Sequence, residues 1–406
     1  MAKRRFPLWL ILIVLFPGLI LAFVVGLWTW MTATKPTLHP DPRAVPSSMH
    51  STPSTQWADA VAKARQIVRE GLARQNIPGL SVAIGVGGEL VWAEGFGWAD
   101  LENQVAVTPD TPFRIGTASK MLSSAAIGLL VEQGRLKLDD EIQAHVPQFP
   151  KKQWPVTLRH LMGHLAGVRR DSGDEEPVTM RCEGTLDAMP RFANASLRFE
   201  PGRAFHYSNY GWILLSGAIE AAAGERYFTF MRKQIFEPLG MAHTSADAGT
   251  EPTGGRAVYY FPRFAANPYY GHQGPEHVDF SCFVGASAFL STPSDMVRFL
   301  TAVNSGKLLQ PETVQLLQTS QRLTSGAETG YGLGWDLETV TLSGEQTRQI
   351  GYDGDLRDGI VSTFMSLAER RIVVAVIANI SFADTPSLAL SIAELFTEQK
   401  KSPAAK

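Results

Sequence analysis

The chain has 406 residues, 45% of them hydrophobic and 19% charged, with 37 basic against 39 acidic side chains. That composition supports a sizeable folded core and argues against global disorder. The absence of a basic excess argues against nucleic acid as the main partner, and two cysteines, Cys182 and Cys282, are too few for a disulfide scaffold or a cysteine-rich zinc site.

Lys3, Arg4 and Arg5 precede an uncharged run from Phe6 to Met31. As a helix it would span roughly 39 Å, against roughly 30 Å of hydrocarbon. A cleavable signal has an apolar core of only about 7–15 residues, and no good small-x-small site follows this run. Residues 1–31 therefore read as an uncleaved transmembrane signal anchor, with the basic cluster in the cytoplasm and the C-terminal bulk across the membrane. Pro17 is a candidate kink, and Trp28 and Trp30 suit the far interface. Residues 32–54 carry Pro36, Pro40, Pro42, Pro46 and Pro53 and have no hydrophobic period, which predicts a linker. Residues 55–400 then form the main domain.

Within it, Trp57, Val61, Ala64, Val68 and Leu72 recur at helical spacing, and Asn76 and Pro78 end that helix. Residues 80–86 and 89–96 read as strands joined by Gly87-Gly88, a two-residue hairpin turn. Residues 119–133, 157–164, 209–223, 227–236 and 293–304 have helical patterns. A second hairpin is expected from 359–366 and 371–379, and a closing helix over 386–399. Strands at both ends with helices between them predict an α+β fold: one sheet made by both termini, with a helical insertion over 119–320. A single disulfide between Cys182 and Cys282 and two free thiols are both compatible with the sequence.

Two short motifs carry candidate chemistry. In "FRIGTASK" at 113–120, Thr117 and Lys120 share a helix face. A hydroxyl beside a neutral amine can act as a nucleophile, and the first turn of a helix offers N–H groups to a developing oxyanion. In "EPGRAFHYSNYGW" at 200–212, Tyr207 and Asn209 stand at a turn entering an apolar helix. A tyrosine near a lysine ammonium is a plausible proton shuttle. His160 and His164 are spaced like metalloprotease ligands, but Leu161 occupies the glutamate position, so no metal site is expected. His272 and His277 lie in a Tyr/Pro/Gly-rich loop over 256–281, a candidate cleft wall.

With these motifs stand "VTLRHLMGHLAGV" at 156–168, "FEPLGMAHT" at 236–244, "FLSTPSDMVRFL" at 289–300 and "YGLGW" at 331–335. In this order they resemble the serine β-lactamase and penicillin-binding-protein superfamily, including class C β-lactamases, D-alanyl-D-alanine carboxypeptidases, esterases and β-lactamase-like serine proteases. The resemblance runs from about residue 57 to 398. It implies an antiparallel sheet of about five strands flanked by helices, an all-helical region, and an acyl-enzyme route without cofactor. It assigns the nucleophile to Thr117, its base to Lys120, proton relay to Tyr207, and positioning to Asn209. The oxyanion hole would use the N–H groups of Thr117 and Asp355.

This chain departs from the family pattern at two places. Thr117 stands where the family has serine, which adds a methyl and restricts χ1. The third motif, normally Lys-Thr-Gly or His-x-Gly, reads Tyr352-Asp353-Gly354, followed by Asp355. Tyr352, Asp353, Gly354 and Asp355 are thus the expected substrate-binding residues, without the usual cation; Arg348 and Arg357 are candidates to compensate. The expected function is a membrane-anchored hydrolase of a small-molecule or peptide amide or ester. The alternative is a catalytically silent binding protein of the cell envelope. By family habit the setting is a cell inner membrane, with the domain on the periplasmic side.

Overall fold

The computed structural model describes residues 8–170, 180–247, 255–274, 278–356 and 360–401. An apolar helix α1 (Leu8–Ala33) leads the chain. Helix α2 (Ala58–Gln75) buries Val61, Ala64, Val68 and Leu72, the predicted stripe, and ends on Asn76 in the left-handed region. The first hairpin pairs β2 (Gly79–Val86) with β3 (Glu89–Asp100) across Gly87-Gly88. At the far end, β6 (Ile360–Leu367) pairs with β7 (Ile372–Ala378), before a closing helix α6 (Thr385–Lys401).

The two hairpins meet in one sheet. Strand β7 pairs antiparallel with β2, with Val374 opposite Ile84 and Val376 opposite Val82. Counting β1 (Ser47–Met49), β4 (Asp336–Leu342) and β5 (Glu345–Leu356), the strand order is β1-β3-β2-β7-β6-β5-β4, with the two-residue strand Val105–Ala106 added beside β3. The resemblance implied about five strands. The five central ones match it, while β1 and β4 extend the two edges. Alternation along β2 and β7 sends Leu80, Val82, Ile84, Val374 and Val376 to α2 and α6. Ala83, Ala375 and Ile377 face α5 (Pro293–Asn304) and the helical region. That region is built around α3 (Ser119–Glu132) and α4 (Asn209–Ala223), both close to prediction. The helix expected over 227–236 breaks into Tyr227–Met231 and a π-turn, Arg232–Phe236. Pro238 two residues on has no N–H to give Gln234 and crowds its carbonyl. Cys182 and Cys282 form a disulfide, which settles the alternative left open by sequence.

Residues 32–54, read from composition as a linker, run along the domain. Asn76 takes the Leu38 N–H at 2.9 Å and gives its amide to the Pro36 carbonyl at 2.8 Å. Buried His39 bonds the Ile77 carbonyl at 2.8 Å, and β1 then pairs with β3.

Asn379 ties the sheet ends together. Its Oδ1 accepts the Gly79 N–H at 2.8 Å, and its Nδ2 donates to the carbonyls of Trp98 and Val258, each at 3.0 Å. The side chain is fully buried. Asn379→Ala would strand one buried N–H and two part-buried carbonyls, at up to about 1–3 kcal/mol each. Urea unfolding of this variant is expected to show a loss of about 3–5 kcal/mol. A loss below about 1 kcal/mol would mean that the freed groups find other partners.

Candidate active site

Strand Phe113–Arg114 pairs with Phe289–Ser291, and the Arg114 guanidinium is buried against the Asp247 carboxylate. The chain then passes through Gly116, whose φ of +55° a side chain would resist. One 3-10 turn, Gly116–Ala118, leads into α3. Thr117 therefore stands at the helix entrance, 6% exposed, and Lys120 sits in the first turn, fully buried. Strand β5 packs directly on this turn. A Cβ at Gly354 would stand 2.8 Å from the Ile115 carbonyl oxygen, so the third motif needs glycine there. Ser362 of β6 also reaches that oxygen, at 3.3 Å.

The structure brings Lys120, Tyr207 and Tyr352 together. Lys120 Nζ donates to Tyr207 Oη at 2.7 Å and to the Ala286 carbonyl at 3.4 Å. Tyr352 Oη donates to Tyr207 Oη at 3.3 Å. Two donors thus converge on one half-buried phenol oxygen, an arrangement that suits an oxygen giving up its proton to a relay. Tyr352 is itself buried, and burial together with Tyr207 holds its phenol far above the usual range, so it stays a neutral donor. Asn209 opens α4 and is buried beside this group in sequence. Among the described residues the Thr117 hydroxyl makes no hydrogen bond to Lys120 or Tyr207. Ser119 is fully buried with its hydroxyl unpartnered among the described residues.

Other expected residues lie elsewhere. Asp353 alternates to the opposite side of β5 from Tyr352 and faces its cross-strand partner Thr363. The residue is exposed there, and Thr363 gives its carboxyl a hydrogen bond. The backbone of Asp355 pairs with Val361. Arg348 is spent on the Gln318 carbonyl, and Arg357 lies outside the described residues. His160 caps its own short helix, Leu158–Met162, in a capping box with Thr157. His277 lies outside the described residues, and His272 packs edge-on to Tyr260, away from Lys120 and Tyr207.

Sequence reasoning missed three neighbours. His164 is buried in the left-handed region, with φ +57°. Its ring stacks on Tyr207 at 4.4 Å and its Nδ1 accepts the Ser208 N–H at 3.2 Å, so it braces the Tyr207 turn. Burial and then Lys120 hold its pKa well below the ordinary value, which keeps it neutral. The exposed guanidinium of Arg170 stands 6.0 Å from the Tyr207 ring centroid, a cation supplied by a loop and not by the third motif. Asp336 at the start of β4 is the third. Burial raises it to about 7, although the Asp353 N–H and Lys120 pull the other way.

Asp336 predicts a pH dependence. Its folded pKa lies above the unfolded value of about 3.9, so the native state keeps a proton that the unfolded chain has lost. Stability should fall as pH rises from about 4 to about 7 and then level off. In Asp336→Asn the decline in Tm between pH 5 and 7.5 should be visibly shallower; parallel Tm–pH curves would refute the assignment.

A family model described as Beta-lactamase matches residues 64–396. The human protein described as serine beta-lactamase-like protein LACTB, mitochondrial, is 26% identical, over 85% of this chain and 81% of its own length. Among solved structures, D-amino acid amidase from Ochrobactrum anthropi SV3, in complex with L-phenylalanine amide, aligns with a TM-score of 0.70 and 26% identity. That alignment covers 84% of this chain and 98% of the amidase. The octameric penicillin-binding protein homologue from Pyrococcus abyssi aligns with a TM-score of 0.68 and 25% identity, over 84% and 78%.

Proposed function

The chain belongs to the Beta-lactamase family, and from that premise we propose that it is a membrane-anchored hydrolase that cleaves an amide or ester through Thr117. The observation that carries this reading is the 2.7 Å contact between buried Lys120 and Tyr207 at the entrance of α3. In the proposed cycle, Lys120 in its amine form takes the Thr117 proton as Oγ1 attacks the carbonyl carbon. The N–H groups of Thr117 and Asp355 receive the oxyanion. As the C–N or C–O bond breaks, Tyr207 passes a proton to the leaving group. Tyr207 then takes a proton from the water that attacks the ester on Thr117, and Lys120 returns its proton to Oγ1 as the acyl C–O bond breaks, so the hydroxyl is restored. Asn209 orients Lys120 and the acyl group, and Tyr352 with the backbone at Gly354 lines the acyl side. The amidase similarity supports an amide substrate class.

The membrane reading rests on α1, whose stretch Phe16–Ala33 is apolar and unburied. An extracytoplasmic side for the domain is supported by the basic N-terminus and by the Cys182–Cys282 disulfide, which persists in oxidising compartments. The domain division follows: anchor 1–31, docked connector 32–54, hydrolase 55–400. A silent binding protein is the second reading, favoured by the Thr117 hydroxyl lacking a bond to Lys120 or Tyr207. Intact-mass and peptide spectrometry after a fluorophosphonate probe separates the two. A covalent adduct on Thr117 supports the hydrolase. No adduct, with ester turnover also absent, supports the silent protein.

A further inference from the structure

Helix α1 does not end in open space. Trp30 packs edge-on against Phe264 at 5.2 Å. Arg263 donates to the Thr34 carbonyl at 2.8 Å, and Lys35 Nζ stands 3.5 Å over the Tyr269 ring. Pro36 lies so close to Gly271 that a Cβ there would stand 2.5 Å from Pro36 Cδ; Gly271, at φ +95°, is the residue this approach requires. Asn76 then holds both Pro36 and Leu38. The segment after the helix is thus fastened at Thr34, Lys35, Pro36 and Leu38, where composition suggested a linker.

The loop that receives it projects apolar and aromatic groups beside the helix end. Ala265 and Ala266 form an exposed tip, both left-handed at φ +55° and +48°. Tyr269 and Phe382 are each 39% exposed, and Phe382 packs edge-on to Phe261 at 5.8 Å. Aromatic rings with flanking cations are the side chains that favour the headgroup layer.

We infer that residues 261–274 with Phe382 form a membrane-contact surface that rests on the phospholipid headgroups of the bilayer spanned by α1. The inference depends on the reading of α1 as an anchor. The 18 residues Phe16–Ala33 cover about 27 Å, close to the hydrocarbon thickness of about 30 Å. A spanning α1 therefore sets Trp30 at the far interface. Headgroups occupy roughly 6–7 Å on each side. Phe264, at 5.2 Å from Trp30, cannot leave that layer without breaking the contact. Arg263 and Lys35 then stand at phosphate level, where cations are favoured. Continuity with the spanning helix is what selects lipid as the occupant.

Spin labelling of the full chain in liposomes tests this. Both native cysteines are consumed in the disulfide, so single added cysteines label selectively. The variants are Phe16→Cys in α1, Ala266→Cys at the loop tip, and Gln133→Cys as a water-exposed control on the helical region. Accessibility to oxygen and to a neutral nickel chelate reports depth. The Ala266 label is expected at headgroup depth, with a nickel collision rate at least about threefold below the Gln133 label. If Phe16 reports hydrocarbon and Ala266 matches Gln133, the contact surface is refuted while the anchor stands. Spin–spin broadening at Ala266 would assign the face to a second copy and overturn the proposal. A water-exposed Phe16 label would overturn the anchor and this surface together.

Discussion

Thr117→Ala is expected to remove ester turnover, by about 10⁴-fold or more, because no other hydroxyl can take the place of Oγ1. Ser119 is two residues on, about 200° round the helix, and is buried. Thr117→Ser should preserve the rate or raise it. The methyl confines χ1, and in this structure the hydroxyl is not engaged by Lys120 or Tyr207. Serine can rotate toward them at little cost. The measurement is kcat/KM for a p-nitrophenyl ester in both variants, with a fluorophosphonate burst to count sites. Unchanged turnover in Thr117→Ala would remove Thr117 from the mechanism. A serine variant as silent as the alanine variant would favour the binding protein.

Tyr352 should decide between substrate classes. By the sequence resemblance it is expected at the family's cation position, and it offers Tyr207 a neutral hydroxyl. A substrate carboxylate met there loses a charge-assisted hydrogen bond of about 1.5–3 kcal/mol, roughly ten- to hundred-fold in affinity. β-Lactams and D-Ala-terminated peptides should therefore be poor substrates beside neutral esters or internal amides. Tyr352→Lys and Tyr352→His should raise the ratio of kcat/KM for nitrocefin to that for a p-nitrophenyl ester by about the same ten- to hundred-fold. Tyr352→Phe, which keeps the ring packed on Tyr331, controls for damage to the fold. A ratio indifferent to lysine and histidine would show that another group, with Arg170 the nearest candidate, receives the carboxylate.

The sequence pattern located α2, which buries one face at a regular spacing. It also located both hairpins and the helices around Lys120 and Asn209, which are apolar runs bounded by turn signals. Family resemblance brought Lys120, Tyr207 and Tyr352 to one place, which spacing alone could not. Asp336 carried no such signal. Its environment is made by Asp353 on the neighbouring strand and by Lys120, more than 200 residues upstream. His164 was visible as half of a histidine pair, but only the fold shows its ring on Tyr207. The proline-rich connector misled because its order comes from Asn76 and Gly271, far along the chain, and not from its own composition. The cysteine pair, separated by 100 residues, left both redox states open until the fold set them side by side.

The pairing of β2 with β7 also dictates when this protein can begin to work. Gly79 waits for Asn379, 300 positions later. A ribosome must therefore reach residues 372–379 before the centre of the sheet exists. During that interval β2, buried along its entire length in the finished fold, has only its hairpin partner β3. Such an unpaired hydrophobic edge invites association with other chains. Long-range pairing of this kind also slows folding. Any truncation upstream of Ile372 deletes the strand that joins the two hairpins, so shortened products should be aggregates and not partially active enzymes. Synthesis of Ile372–Ala378 is thus the step that commits the hairpin at residues 79–100 to its fold.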